Sequence, residues 1–295
     1  MSRTPVLVSV VVPAVNATPV VDVQLTALAA QDYPGEFEVI VADNGSTDGL
    51  ARHLSDHPLA ERLRLRRVDA GAAPGAAHAR NVGVEAARGD FIAFCDADDQ
   101  AHPQWLRRLV ARAADFDAVS GPVETTTLNS PRAAEWTPVN APEARTEVPG
   151  LFPVAGSCNL AMWRSTIDKV GPWDVDCLRG GEDVDYCLRI QLAGLTLGHE
   201  PEAMMAYRVK SSYPALWRQQ YAWAQSDVDT YVRYRDRGHR RRNPLLALAM
   251  PVLLVLRNPL LPQSVTKLPT GTWICYLAGF AGRIRGSIRH RVLYV

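Results

Sequence analysis

No Cys-x-x-Cys pair occurs in the 295 residues, and the five cysteines, Cys95, Cys158, Cys177, Cys187 and Cys275, are odd in number and widely spaced. That pattern writes neither a disulfide framework nor a zinc knuckle, so a reducing compartment is expected. No apolar run reaches the roughly 18 residues that a bilayer span requires. No Gly-x-Gly-x-x-Gly follows the first predicted strand and no Gly-x-x-x-x-Gly-Lys-Ser/Thr occurs anywhere, which argues against a dehydrogenase and a P-loop ATPase. An apolar h-region is missing too: Arg3 is followed by alternating Val and Leu that reach Pro13 too soon, without a small-residue cleavage site. The expectation is a chain with no signal peptide that stays in the cytoplasm.

What is present is ordinary for a globular chain. Hydrophobic residues make up 47% and charged residues 21%, which excludes a disordered protein and a multi-span membrane protein. The length suits one large or two modest domains. The net charge of +1 hides an asymmetry: residues 1–204 carry 17 basic and 28 acidic side chains, residues 205–295 carry 15 and 3. The end of the chain is therefore a cationic module.

Residues 6–12 are a short, β-branched, nearly all-apolar run, the pattern of a strand buried on both faces of a parallel sheet. Helical spacing follows through Val20, Val23, Leu25, Leu28 and Ala29, and residues 37–41 give a second apolar strand. The alternation continues with helices near 48–56, 75–87 and 103–114 and strands at 63–68, 90–95 and 117–121. This predicts an α/β fold with a doubly wound sheet, whose ligands bind beyond the carboxyl ends of the strands. Residues 122–152, rich in Pro, Thr and Ala, read as a long loop over the site or a mobile segment. Order resumes at Phe152, with a helix over 182–192, strands near 195–199 and 204–209, and helices over 213–235, 244–257 and 272–288.

Three motifs fall at functional edges of this pattern. Asp96-Ala97-Asp98-Asp99 gathers three carboxylates at the end of an apolar strand, where a divalent cation relieves their repulsion. Hard oxygens suit Mg²⁺ or Mn²⁺; the alternative is a solvated acidic turn capping the next helix at Asp99 or His102. In Asp43-Asn44-Gly45-Ser46-Thr47-Asp48, Asp43 can accept two hydrogen bonds and Gly45 lets backbone approach a flat ring. An Asx-turn with an Asp48 cap accounts for residues 46–48 but not for Asp43. Gly180-Gly181-Glu182-Asp183-Val184-Asp185 places three carboxylates at a helix start, where compensation of the helix dipole is the alternative reading. Two carboxylate clusters on one scaffold point to metal-bound phosphate at the first and a general base at the second. A weaker signal is the loop at 71–75 with His78, Arg80 and Asn81 behind it, a cation that can meet a phosphate.

Taken together, the motifs resemble those of the family-2 glycosyltransferases of the GT-A fold, over about residues 7–235. Ser9-Val10-Val11-Val12-Pro13 is similar to that family's opening strand, Asp43 to Asp48 to its uracil-binding turn, Ala79-Arg80-Asn81-x-Gly83 to its phosphate-side helix, Asp96-Ala97-Asp98 to its D-x-D, and Glu182-Asp183 to its late acidic pair. The resemblance implies a GT-A-type, doubly wound, mostly parallel sheet with a helical C-terminal extension. It implies a catalytic domain over 1–210, with a nucleotide-sugar half at about 1–122 and an acceptor half at about 150–210, and a basic helical extension over 211–295. It further implies a nucleotide-diphospho sugar donor, UDP or dTDP linked, bound by Pro13, Asp43, Arg80, Asp96 and Asp98, with a Mg²⁺ or Mn²⁺ cofactor on Asp98 and Asp96. Asp183 is implied as the base that deprotonates an acceptor hydroxyl, with inversion, and Asn159 and Glu182 lie on the acceptor side.

Two departures stand out. Ala206 occupies the place where many relatives carry a metal-binding His, with Arg208 or His199 as candidate compensation, and Gln219 to Trp223 lacks the Arg of the processive synthases' Gln-x-x-Arg-Trp. Single addition is expected rather than polymerisation, in cell-surface glycan or glycolipid synthesis on a lipid-linked or glycan acceptor. Competing functions are a sugar nucleotidyltransferase, disfavoured because Pro13-Ala14-Val15-Asn16 replaces a basic Gly-rich loop, and a non-catalytic nucleotide-sugar-binding protein, disfavoured by Asp183. In the cationic end, apolar runs at 245–256 and 273–281 flanked by Arg240, Arg241, Arg242, Arg257, Arg283, Arg285, Arg289 and Arg291 are too short to span. They fit a segment lying on an anionic leaflet, which places the enzyme peripherally at the inner face of the cell membrane. Packing on the catalytic domain and a dimer contact are the other readings. Nucleic acid is not expected, since no recognition motif accompanies the charge.

Overall fold

A computed structural model describes residues 3–295. Its centre is a seven-stranded sheet made of β1 (Val8–Ala14), β2 (Phe37–Asp43), β3 (Arg66–Asp69), β4 (Phe91–Phe94), β6 (Ala118–Ser120), β10 (Leu160–Trp163) and β11 (Leu197–His199), in the order β11-β6-β10-β4-β1-β2-β3. All neighbours run parallel except β10, which is antiparallel to both β4 and β6. The sheet is thus α/β, doubly wound and mostly parallel.

The apolar run of β1 is explained by burial on two faces. Val8, Val10 and Val12 point into a core shared with Leu25 and Leu28 of α1 (Val21–Ala29) and Trp105, Leu106 and Leu109 of α4 (Trp105–Arg112). Val11 points the other way, into a core with Ile92, Phe94 and Met162 that is closed by Tyr186, Leu188 and Ile190 of α7 (Glu182–Leu192). Helices α2 (Leu50–Ser55) and α3 (Ala76–Ala86) complete the connections of the first half. Gly83 of α3 is where that helix crosses β1: a Cβ there would lie 2.4 Å from Val11 Cγ1, so only glycine permits the approach.

A second, three-stranded sheet joins β5 (Gln100–Ala101), β7 (Val123–Glu124) and β12 (Met205–Ala206), and lies beside the carboxyl ends of β4 and β6. Residues 122–152, expected as a loop, hold only β7, the short α5 (Pro131–Ala134) and β8 (Thr146–Glu147), which pairs with β9 (Pro153–Val154). The strand β10 and the helix after it, α6 (Arg164–Val170), were not anticipated.

Helix α8 (Tyr213–Tyr234) begins the basic end of the chain, followed by α9 (Pro244–Leu256), α10 (Gln263–Thr266) and α11 (Thr270–His290). α11 lies along α8, the two in close contact at Gly282 and Gly286. Pro251 sits inside α9, and among the described residues no helix is long and apolar enough to cross a membrane.

Candidate active site

A cleft of about 1030 Å³ opens beyond the carboxyl ends of β1 and β4, where a doubly wound sheet leaves room for a ligand. Pro13, Arg80, Asp96, Asp98, Asn159, Glu182 and Asp183 all line it. Residues predicted separately from the two halves of the chain are therefore brought to one cavity, and Thr137, Asn140 and Arg145 of the long connection border it as well. Asp43 stands apart from them. It is buried at the end of β2, with Oδ1 accepting from the Ser46 N–H at 2.9 Å and Oδ2 from Arg67 Nε at 2.8 Å, and its neighbour Asn44 is what lines the cleft. Burial raises its pKa, but the Ser46 hydrogen bonds and the Arg67 guanidinium outweigh that and hold it below the usual carboxylate value.

Arg80 is clamped. Its Nη1 donates to Glu182 Oε1 at 2.8 Å and its Nη2 to Asp96 Oδ1 at 3.1 Å, and its guanidinium lies 5.3 Å from the Trp173 ring centre. Asn81 fixes that ring by a reciprocal pair of bonds, donating to Trp173 O at 3.0 Å and accepting from Trp173 N at 2.8 Å. The Arg80 charge is desolvated, and Asp96, Glu182 and Asp183 together more than compensate, so its pKa rises. One buried cation thus ties the D-x-D turn to the late acidic pair. Trp173, in the turn Gly171-Pro172-Trp173-Asp174, carries no periodic or charge signal by which sequence could have found it.

At the D-x-D turn the backbone is pinned from α1: buried Gln24 accepts from Ala101 N at 2.8 Å and donates to Asp96 O at 3.3 Å. Asp99, a candidate helix cap by sequence, is wholly buried instead. Its Oδ1 accepts from the Arg208 N–H at 2.8 Å, while its Oδ2 has no partner. Burial first, then the Asp96 charge, push its pKa up to about 8. A carboxylate oxygen of Asp96, one of Asp99 and Cys158 Sγ lie within 4.8 Å of one another. Burial and the Asp99 charge hold the Cys158 thiol well above its usual pKa, so the two carboxylates are the ligand oxygens this group offers a hard divalent cation. Asp98 is half exposed, 3.6 Å from Lys210 Nζ, and is not part of that group.

Ala206 is buried in β12, and the expected compensation is only partly there. Arg208 reaches the turn, through its backbone N–H to Asp99 and its Nε to Asp98 O at 2.8 Å. His199 does not: its ring nitrogens contact Ser120 Oγ at 3.2 Å and Pro142 O at 2.7 Å.

Across the cleft, Asp183 is the second residue of α7, after Glu182. Gly181 before it has φ +83°, a left-handed conformation that any other residue adopts under strain, and its position over Ser226 of α8 leaves no room for a Cβ. Burial and the neighbouring Glu182 charge raise the Asp183 pKa to about 6, and its Oδ2 accepts weakly from Ser157 N at 3.4 Å. Asn159 is fully engaged, accepting from Trp105 Nε1 and donating to Pro122 O and Ala203 O, each at 2.8 Å. Trp223, Ser226 and Asp227 of α8 close this side.

The fold and the site define a sugar-transferring enzyme of the GT-A kind. Residues 9–171 match Glycosyl transferase family 2 and residues 91–282 match Glycosyl transferase family group 2. The glycosyltransferase AglE of Haloferax volcanii is 31% identical across 98% of this chain and 99% of its own length. The chain belongs to glycosyltransferase family 2, and it is a glycosyltransferase. Poly-beta-1,6-N-acetyl-D-glucosamine synthase of Staphylococcus epidermidis is 23% identical over 77% of this chain, which spans only 56% of that longer protein. Among solved structures, the mannosyltransferase PcManGT of Pyrobaculum calidifontis, in complex with GDP-Man and Mn²⁺, superposes with a TM-score of 0.60 at 21% identity, covering 96% of this chain and 88% of that one. TarS of S. aureus superposes with a TM-score of 0.56 at 18% identity, covering 98% and 93%.

Proposed function

We propose that this enzyme transfers a sugar from a nucleotide-diphospho sugar, UDP or dTDP linked, to a hydroxyl of a lipid-linked or glycan acceptor, with inversion, in the synthesis of a cell-surface glycan or glycolipid. The observation that carries the reading is the pairing, within one cleft, of a D-x-D turn holding a partnerless buried carboxylate oxygen with an opposed carboxylate whose pKa lies near 6.

In this reading residues 1–122 hold the donor, residues 150–210 the acceptor, and residues 211–295 form a basic extension that rests on an anionic membrane surface at the inner face of the cell membrane. Pro13 and Asp43 belong to the nucleobase side. Asp96 and Asp98 face the diphosphate; a Mg²⁺ or Mn²⁺ ion would be held by Asp96 with Asp99 or Asp98, and when bound it neutralises the charge of the leaving diphosphate. Arg80 keeps Asp96 and Glu182 in register and adds positive potential behind the leaving group. Asp183 takes the proton of the acceptor hydroxyl at its carboxylate oxygen, opposite the departing nucleotide, which is the arrangement a direct displacement needs. Asn159 fixes the floor between the halves.

The test is a screen of UDP-, dTDP- and GDP-sugars by thermal shift with and without Mn²⁺, followed by transfer to candidate acceptors and assignment of the product's anomeric configuration by NMR. Retention of configuration, or sugar-nucleotide synthesis in place of transfer, would refute the reading. Donor binding without turnover across many acceptors would make the chain a sensor.

A further inference from the structure

Arg283, on α11, is only 14% exposed, its Nε is buried without a partner, and the guanidinium makes no hydrogen bond among the described residues. Its nearest anion is Asp227 Oδ2, 3.8 Å away and too far for a hydrogen bond. Arg80, Arg164 and Arg189, also sheltered, each donate to two or more oxygens, whereas Arg112 resembles Arg283 in burying an Nε without a partner. A desolvated charge without acceptors is unfavourable, and burial together with the approach of a second cation, Arg242, lowers the Arg283 pKa. Two guanidiniums therefore share one carboxylate, and Asp227 lines the cleft that contains Asp183.

We propose that Arg283 and Arg242 form a phosphate subsite at the α8–α11 end of the cleft, and that its ligand is an amphiphile, a lipid phosphate whose hydrocarbon lies along α9. This rests on the lipid-linked acceptor in the function proposed above. A tetrahedral phosphate offers several oxygens to the Arg283 donors that otherwise lack them and to Arg242, which hydrogen-bonds Tyr294, and two guanidiniums against one carboxylate leave the positive surplus that such an anion matches. The apolar half of the ligand follows from what adjoins the pair. Arg242 immediately precedes Asn243, the N-cap of α9, and α9 presents Leu245, Val252, Val255 and Leu256 to the outside. Trp273 Nε1 donates to Leu254 O at 2.9 Å, which anchors the far end of α9 to the start of α11. From that point Arg283 lies ten residues on along α11, roughly 15 Å, and Arg242 a similar distance back along α9. The headgroup donors thus sit at one end of a helical hairpin, and exposed apolar side chains run along α9 from Leu245 beside them to Val252, Val255 and Leu256 at the other end.

The experiment is calorimetric titration of the full chain with farnesyl phosphate, farnesol and inorganic phosphate, with UDP plus Mn²⁺ measured in parallel. Farnesyl phosphate is expected to bind at least about tenfold more tightly than farnesol or inorganic phosphate, Arg283→Gln and Arg242→Gln each to remove about that factor, and Asp227→Asn to strengthen binding. Farnesol and UDP affinities are expected to stay at the wild-type values in all three variants. Arg242 is exposed, so its variant keeps the test informative if Arg283→Gln folds poorly. Equal affinity for farnesyl phosphate and farnesol, wild-type binding by Arg242→Gln, or inorganic phosphate binding as tightly as the lipid would overturn the proposal. Loss of UDP affinity in the arginine variants would do so too, by assigning the pair to the donor. If wild-type protein binds no nucleotide at all, it is the transfer reading that fails.

Discussion

Asp183 owes its basicity to where the chain puts it, desolvated at the first turn of α7 beside Glu182. With a pKa near 6 the carboxyl holds its proton in acid and cannot accept another, whereas above that pH the base is free. The acid limb of kcat/KM is therefore expected near pH 6, and Glu182→Gln, which removes the neighbouring negative charge, should move it to lower pH. A limb unmoved in Glu182→Gln would show that another group titrates. Asp183→Asn keeps the shape and loses the proton acceptor, so transfer should fall by about 100- to 10,000-fold while nucleotide diphosphate affinity holds. Comparable losses in both would mean that Asp183 holds the fold and not the proton. Asp99 predicts the opposite balance between stability and ligand. Its unpartnered Oδ2 is a burden to the protein without a cation, so Asp99→Asn should match or exceed wild-type thermal stability in EDTA yet lose the Mn²⁺-induced increase in Tm. An unchanged Mn²⁺ response in that variant would remove Asp99 from the metal site.

Elements explain why part of this site could be read from sequence and part could not. β1, β2, β4 and α7 were legible because burial on both faces writes an unbroken apolar run, and because Gly180-Gly181 before three acids announces a helix start. β10 escaped notice for a related reason: Leu160-Ala161-Met162-Trp163 is apolar but only four residues long, and its antiparallel place between β4 and β6 is set by pairing that no local pattern encodes. Gln24 was hidden in the helical spacing of α1, since a buried amide pinning the D-x-D backbone looks like a surface residue in a list of apolar positions. Asn159 stands out in the sequence, but its bonding is seen only in three dimensions, where it joins the loop carbonyls of Pro122 and Ala203 to the Trp105 indole. Asn159→Ala leaves Trp105 Nε1 and Ala203 O unpaired, while Pro122 O keeps the Met205 N–H, and is expected to cost at least about 2 kcal/mol. Urea unfolding checks this, and an unchanged midpoint would mean that water takes over those bonds.

Across the whole molecule, charge and apolar surface are segregated in the same direction. The first 204 residues carry the acidic surplus and every carboxylate of the cleft named here except Asp227, while the last 91 carry 15 basic against 3 acidic residues. α9 is an almost wholly apolar helix, a composition that belongs in a core, yet Val255 is 70% exposed and Leu256 64%. Its 13 residues reach about 20 Å, short of the roughly 30 Å hydrocarbon layer, so a helix of this kind is suited to lying in the interface and not to crossing it. The arginines at 240–242 and 257 bracket it, each worth about 1 kcal/mol beside an anionic leaflet. The full chain is therefore expected to sediment with anionic liposomes at low salt and much less with neutral ones. Because screening shortens to about 8 Å at physiological ionic strength, the electrostatic share should weaken along a salt series while a remnant due to inserted apolar side chains persists. Val255→Asp with Leu256→Asp changes two exposed positions, so Tm should hold while that salt-resistant remnant disappears. Equal recovery of wild-type protein in the supernatant with both lipid types at low salt would sink membrane docking, and the exposed face of α9 would then have to be covered by a second copy of the chain, which analytical ultracentrifugation of the same variant would detect as a loss of dimer.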